Sequence, residues 1–199
     1  MKLSKEDKKE LEIKIKELLK RYGFKGSRGC MYKTDKKVYI RVLYLIAESK
    51  RLVISVHVKN YSYDNFFWRI MNMRENESQG DSFRANGAFI SLGILIKKII
   101  HEFTEGYLEQ LEGIVDEVVQ SINNFIHKNN INNYVFSHDD TKDGGDLLDG
   151  SILKCLAYCD IGKLDKAKEV AIYRIEHGDT GRFESEGKGF FEWIISFEP

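Results

Sequence analysis

Apolar residues recur at helical spacing in two segments. Over 4–22, Leu11, Ile15, Leu18 and Leu19 share one face while lysines and glutamates fill the other, the pattern of an amphipathic helix. Ser4, with Asp7 three residues on, forms an acidic variant of the capping box, and Gly23 supplies a left-handed residue past the end. A longer stripe, Leu108, Leu111, Val115, Val118, Ile122 and Phe125, advances in steps of three and four. It predicts a helix over 105–127, capped by Thr104, whose default role is packing against a sheet. A coiled-coil dimer is the other reading, although the stripe covers fewer than the about three to four heptads that it needs.

Elsewhere the period is two. Segments 38–46 and 52–59 are rich in β-branched and aromatic residues, and 47–51 has the length of a hairpin loop. In the second, Leu52, Ile54, Val56 and Val58 make one wholly apolar face, whereas Val53, Ser55, His57 and Lys59 make a mixed one. That contrast predicts an antiparallel sheet with one face covered by helices. A short strand is expected around 30–32, after turns in 24–29. Asp64 is expected to cap a short helix over 65–73, 75–82 to be a polar loop, and 83–96 to be a strand broken at Gly87 or Gly93. Residues 129–133 end the long helix and 132–150 read as linker. Helices are expected from Asp149 or Ser151 to 160 and over 164–176, then a loop at 181–189 and an aromatic closing segment at 190–197. The fold class is therefore α+β: an antiparallel sheet of about four strands covered by the N-terminal helix and the long helix. The expected organisation is an α+β domain at 1–137, an acidic glycine-containing linker at 138–150, and a helical region at 151–199 docked on the main domain.

Composition narrows the function classes. Of 199 residues 42% are hydrophobic and 31% charged, the balance of a folded globular chain, and the formal net charge is zero. No global field draws the chain to nucleic acid or anionic lipid, so no nucleic-acid partner is expected. Residues 1–9 lack the apolar run of a secretory signal, and the apolar window 89–100 is short and interrupted, so no membrane partner is expected either. Cys30, Cys155 and Cys159 are too few and scattered for a disulfide framework and read as packing residues of a cytoplasmic protein.

Candidate chemistry is sparse. Asp139, Thr141, Asp143 and Gly144 imitate the first half of a calcium loop, but Gly150 stands where the bidentate glutamate belongs. Ser55 and His57 share a strand face without a nucleophile elbow, and Gly187 with Gly189 lacks the rest of a dinucleotide fingerprint. No catalytic, metal-ligating or cofactor-binding residue is assigned. The lysines of the first helix are expected to be compensated by Glu6, Glu10, Glu12 and Glu17 along the same helix. The densest aromatic run is Tyr61, Tyr63, Phe66, Phe67 and Trp68. Five large rings in eight residues are hard to bury together, so Tyr61, Tyr63, Phe66 and Trp68, with Arg69 and Arg84 as polar partners, are candidate binding residues; a plain core is the other reading.

The stretch Ser82-Phe83-Arg84-Ala85-Asn86-Gly87-Ala88-Phe89, following Tyr63-Asp64-Asn65-Phe66-Phe67-Trp68, resembles small uncharacterised bacterial α+β proteins, some encoded near toxins. The resemblance implies an immunity-type or interaction protein and carries no catalytic motif. Cys155, Tyr158, Gly162, Ala167 and Ala171 are spaced as in one tetratricopeptide repeat, although Ser151 stands where that family has a large residue. No second copy follows, so this resemblance implies a lone helical hairpin. The resulting expectation is a cytoplasmic module that binds another protein. The alternative is a metal-dependent hydrolase assembling His101, His138 and Asp140 from distant segments.

Overall fold

A computed structural model describes residues 2–104, 106–138 and 150–198. Along these the elements are α1 (Lys5–Arg21), β1 (Lys25–Ser27), β2 (Cys30–Asp35), β3 (Val38–Ile46), β4 (Arg51–Asn60), α2 (Ser62–Ile70), α3 (Asp81–Asn86), β5 (Ile94–Glu102) and α4 (Tyr107–Lys128). They continue as α5 (Ile131–Ser137), α6 (Gly150–Asp160), α7 (Leu164–Glu176), β6 (Glu184–Ser185), β7 (Lys188–Gly189) and α8 (Phe190–Ser196), with a 3-10 turn at Arg74–Ser78 before α3. The class is α+β, and packing divides the chain into two compact units: Met1–Val58 with Leu95–Lys128, and Lys59–Ile94 with Asn129–Pro199.

The first unit is built on an antiparallel sheet of order β1-β2-β3-β4-β5. It has five strands rather than about four, because Lys25 to Ser27 pair with β2 as a short edge. The alternation in β4 holds: Leu52, Ile54, Val56 and Val58 are buried, and Val53, Ser55 and His57 are half-buried. Helix α1 starts as its sequence dictates. The Ser4 hydroxyl accepts from the Asp7 amide at 3.0 Å and the Asp7 carboxylate accepts from the Ser4 amide at 2.8 Å. Leu11, Ile15, Leu18 and Leu19 are its buried stripe. Of the α4 stripe, Leu111, Val115, Val118 and Ile122 are buried with Ile114, while Leu108 and Phe125 stay half-buried. Helix α4 is tied to β5 by Lys97–Glu117 at 2.6 Å and His101–Gln110 at 2.7 Å.

The second unit is mostly helical. Helix α6 is buried along nearly its whole length and contacts α2, α5 and α7; α8 packs on α7 and α2. Helices α6 and α7 form a hairpin that turns at Gly162, with φ at +73°, and closes on the buried Ala167 and Ala171.

Several local expectations are corrected. Residues 83–96 are not one strand: 81–86 are helical, burying Arg84 and Ala85, and the strand starts at Ile94, after Gly93 at φ +81°, and runs on to Glu102. The presumed loop 75–82 contains the 3-10 turn and the start of α3. Asp64 lies inside α2 rather than capping it. Residues 132–137, read as linker, belong to α5, whose cap is Asn130 accepting from the Asn133 amide at 3.0 Å. A two-stranded hairpin occupies part of 181–189. Residues 139–149, with the calcium-like loop, lie outside the described residues. Composition placed a boundary at 138, whereas packing groups 59–94 and 129–138 with the C-terminal helices. Rings distant in sequence explain the grouping: Phe67 of α2 stacks on Phe190 at 5.3 Å and meets Phe183 edge-on at 4.8 Å. Among the described residues, no helix is long and apolar enough to cross a membrane.

Candidate functional site

The aromatic run of α2 faces inward. Tyr63, Phe67 and Trp68 are fully buried, and the Trp68 indole donates to the Phe89 carbonyl at 2.5 Å. Arg84, also buried, lies 3.9 Å from the Tyr61 ring centroid and 4.7 Å from that of Trp68, and donates to Asn65 at 2.7 Å and to the Tyr61 carbonyl at 3.3 Å. Beside it Asp64 is 0% exposed, pairs with the buried Lys59 at 2.7 Å, and accepts from the Ser91 amide at 3.0 Å; the Arg84 guanidinium is 3.6 Å away. Lys59 also donates to the Ser91 carbonyl at 2.6 Å. One carboxylate between two cations thus pins 59, 64, 84 and 91 together inside the second unit. Of the residues proposed for binding, Tyr63, Trp68 and Arg84 are therefore interior. Tyr61 and Phe66 are half-buried, Tyr61 donating to Asp81 at 2.8 Å, and the exposed Arg69 is held bidentate by Glu77 at 2.6 and 2.9 Å.

A second polar knot also holds helices together. Asp160 accepts from Asn60 at 3.0 Å, Asn132 at 2.7 Å and Ser62 at 2.5 Å, and the Tyr63 hydroxyl donates to Asn132 at 2.7 Å. Burial, reinforced by the Asp160 charge, pushes the Tyr63 phenol above its ordinary value and the Cys159 thiol up to about 12.

His101 and His138 are engaged locally. His101 lies edge-on to Phe103 at 5.3 Å beside its Gln110 contact, and His138 stacks on Tyr134 at 3.9 Å while its ring nitrogen meets the Tyr134 carbonyl at 2.8 Å. They belong to different units, and Asp140 lies outside the described residues. Among the described residues, no group of three or more His, Cys, Asp and Glu could hold a metal ion.

An open groove of about 500 Å³ lies in the first unit, lined by Glu10, Ile13, Lys14 and Glu17 of α1 and by Leu108, Glu109 and Glu112 of α4. The α1 residues stand at i, i+3, i+4 and i+7, a single stripe. Helices α1 and α4 run in the same sense: the Tyr107 hydroxyl reaches Asp7 at 3.3 Å near their starts, and the Tyr22 hydroxyl reaches Asp116 at 2.6 Å farther along. Ile13 sits off the buried stripe of its helix and is 48% exposed, and Leu108 is the half-buried end of the α4 stripe. Around these apolar side chains stand four carboxylates and one ammonium. Glu112 pairs with Arg21 at 3.5 Å, whereas Glu10, Glu17 and Glu109 make no ion pair among the described residues. On α1 the pair that does form is Glu12–Lys16 at 2.6 Å. The seam between the helices is negative enough to act on its phenols. Tyr107 is raised by burial and then by the Asp7 and Glu10 carboxylates, and Tyr22 by its bond to Asp116 and then by burial.

No family model, curated protein or solved structure matches the chain.

Sequence reasoning missed the groove because it paired each glutamate with lysines on the same helix. The usable signals were Ile13, an isoleucine among charges off the main stripe, and Leu108 at the end of a stripe. Only the apposition of α4 sets Glu109 and Glu112 beside Glu10 and Glu17. The lining sets two apolar side chains, Ile13 and Leu108, among four carboxylates and one ammonium.

Proposed function

We propose that the protein is a binding module that seats a segment of a partner protein in the groove between α1 and α4, by shape and charge complementarity and with no chemical step. The observation that supports this reading is an open groove of about 500 Å³ that keeps an isoleucine half exposed among four carboxylates, three of which make no ion pair among the described residues. Exposed single apolar residues are common on protein surfaces; one set in a concave, charged surround is the usual anatomy of a contact anchor. The narrower form of the reading is an immunity-type role in a bacterial cytoplasm, in which seating the partner silences it.

The test is site-specific photo-crosslinking in native lysate, with a photoreactive side chain at position 13, 45 or 172. Leu45 and Ile172 are exposed apolar controls at 64% and 44%. A discrete adduct formed from position 13 and absent from the controls is the expected result. Adducts from position 45 alone, or none from position 13, would overturn the reading.

A further inference from the structure

Resting on that reading, we infer that the segment seated between α1 and α4 is a cationic amphipathic helix, with an apolar side chain for the Ile13 and Leu108 floor and lysines or arginines one turn to either side. A trough between two helices running in the same sense fits a third helix, whose ridge of side chains enters the seam. The charges set the register. Glu10 and Glu17 lie seven residues apart on one stripe of α1, about two turns or ~10.5 Å along the axis, with Ile13 between them. A helix bearing cations at i and i+7 and an apolar residue at i+3 or i+4 repeats that spacing. Glu109 and Glu112 offer acceptors from the opposite wall.

The lining carries four negative and one positive formal charge, 4 − 1 = 3 in excess, so it repels nucleic acid, anionic lipid and acidic peptides alike. Lys14 is the cation within the lining and opposes the proposed ligand. Arg21 adds a further positive group beside that wall, 3.5 Å from Glu112.

The probe is a fluorescent alanine-based helical peptide of about 18 residues, long enough for five turns, carrying one central leucine with lysines four before it and three after. One control has glutamates in place of the lysines, another alanine in place of the leucine. The full chain is expected to bind the lysine–leucine peptide saturably, less tightly as salt rises from about 0.05 to 0.3 M, because exposed charges are screened over a few ångströms at the higher value. The double substitution Glu10→Gln with Glu109→Gln should weaken binding about tenfold, Ile13→Asp should weaken it at least as much, and Lys14→Gln should tighten it about threefold. All four positions lie on the surface, so unchanged thermal unfolding shows that each variant folds.

Saturable binding of the glutamate peptide with equal strength overturns the inference. So does equal binding of the leucine-free peptide, insensitivity to salt, or no binding of the lysine–leucine peptide at millimolar concentration. The binding reading survives those outcomes if position 13 still crosslinks a partner, and falls with the inference if it does not. Concentration-dependent dimerisation abolished by Ile13→Asp would make the occupant a second copy of this chain and would also overturn the inference.

Discussion

Two ion pairs of nearly equal length differ about tenfold in what their loss should cost. Lys16–Glu12 is 2.6 Å long on the surface of α1, and Lys59–Asp64 is 2.7 Å long with both side chains almost fully removed from water. Water screens the first, and the entropy of holding two long side chains offsets much of the rest; the second sits where a lone charge has no solvent to turn to. Glu12→Gln should therefore lower unfolding free energy by about 0.3–0.5 kcal/mol. Asp64→Asn, which leaves Lys59 and Arg84 facing each other's charge with no carboxylate, should lower it by about 3–5 kcal/mol. Guanidinium titration of both variants checks this, and comparable losses would mean that the buried cluster is better hydrated than its exposure indicates.

Elements are decided by the fit of neighbours as much as by their own residues. Helix α8 begins where Gly189 passes the Thr180 carbonyl so closely that a β-carbon there would stand 2.0 Å from its oxygen. Backbone on both sides leaves no flexible chain end to yield. The same carbonyl accepts from the Phe191 amide at 3.0 Å, so displacing it also loosens the start of α8. Gly189→Ala should destabilise by roughly 1–3 kcal/mol, the range of overpacking in a close contact. Gly187→Ala, two residues earlier in the hairpin turn at φ +73° with open space around it, should cost about 1 kcal/mol from backbone conformation alone. Thermal melts of the pair test the ordering; a larger loss at 187 would contradict the steric account. The spacing of the two glycines serves a hairpin turn and a helix start, in keeping with a sequence that lacks the rest of a dinucleotide fingerprint.

On the scale of the whole molecule, each unit carries buried thiols: Cys30 in the first, Cys155 and Cys159 in the second. Native protein should resist alkylation at neutral pH, and mass analysis during denaturant unfolding should date the opening of each unit by its own cysteine. The Cys159 thiol adds a pH term with a definite sign. Its folded-state value of about 12 exceeds the ordinary thiol value near 8.5, so its contribution to stability is complete below ~8.5 and is lost as pH climbs toward the folded value. Cys159→Ala should flatten the loss of stability between about pH 9 and 11; an unchanged alkaline slope would show that Cys159 does not report on it.

Periodicity settled what neighbours along the chain settle between themselves. The Ser4–Asp7 box, the buried faces of α1 and α4, and the alternation of β4 are short-range matters of spacing, and each could be read from the residues. Helix against strand at 83–96 could not, because Arg84 lies inside only through partners in α2. The same limit explains the aromatic run: whether Trp68 and Tyr63 meet water or protein depends on the Phe89 carbonyl and Asn132, 21 and 69 residues away. It also explains the groove. Glu10 looks compensated along α1, and becomes an uncompensated wall charge once packing lays the start of α4 alongside. Helical and strand periods are local sums over a few residues, whereas burial, charge balance and concavity are properties of surfaces that come from different parts of the chain and exist only after those parts have met.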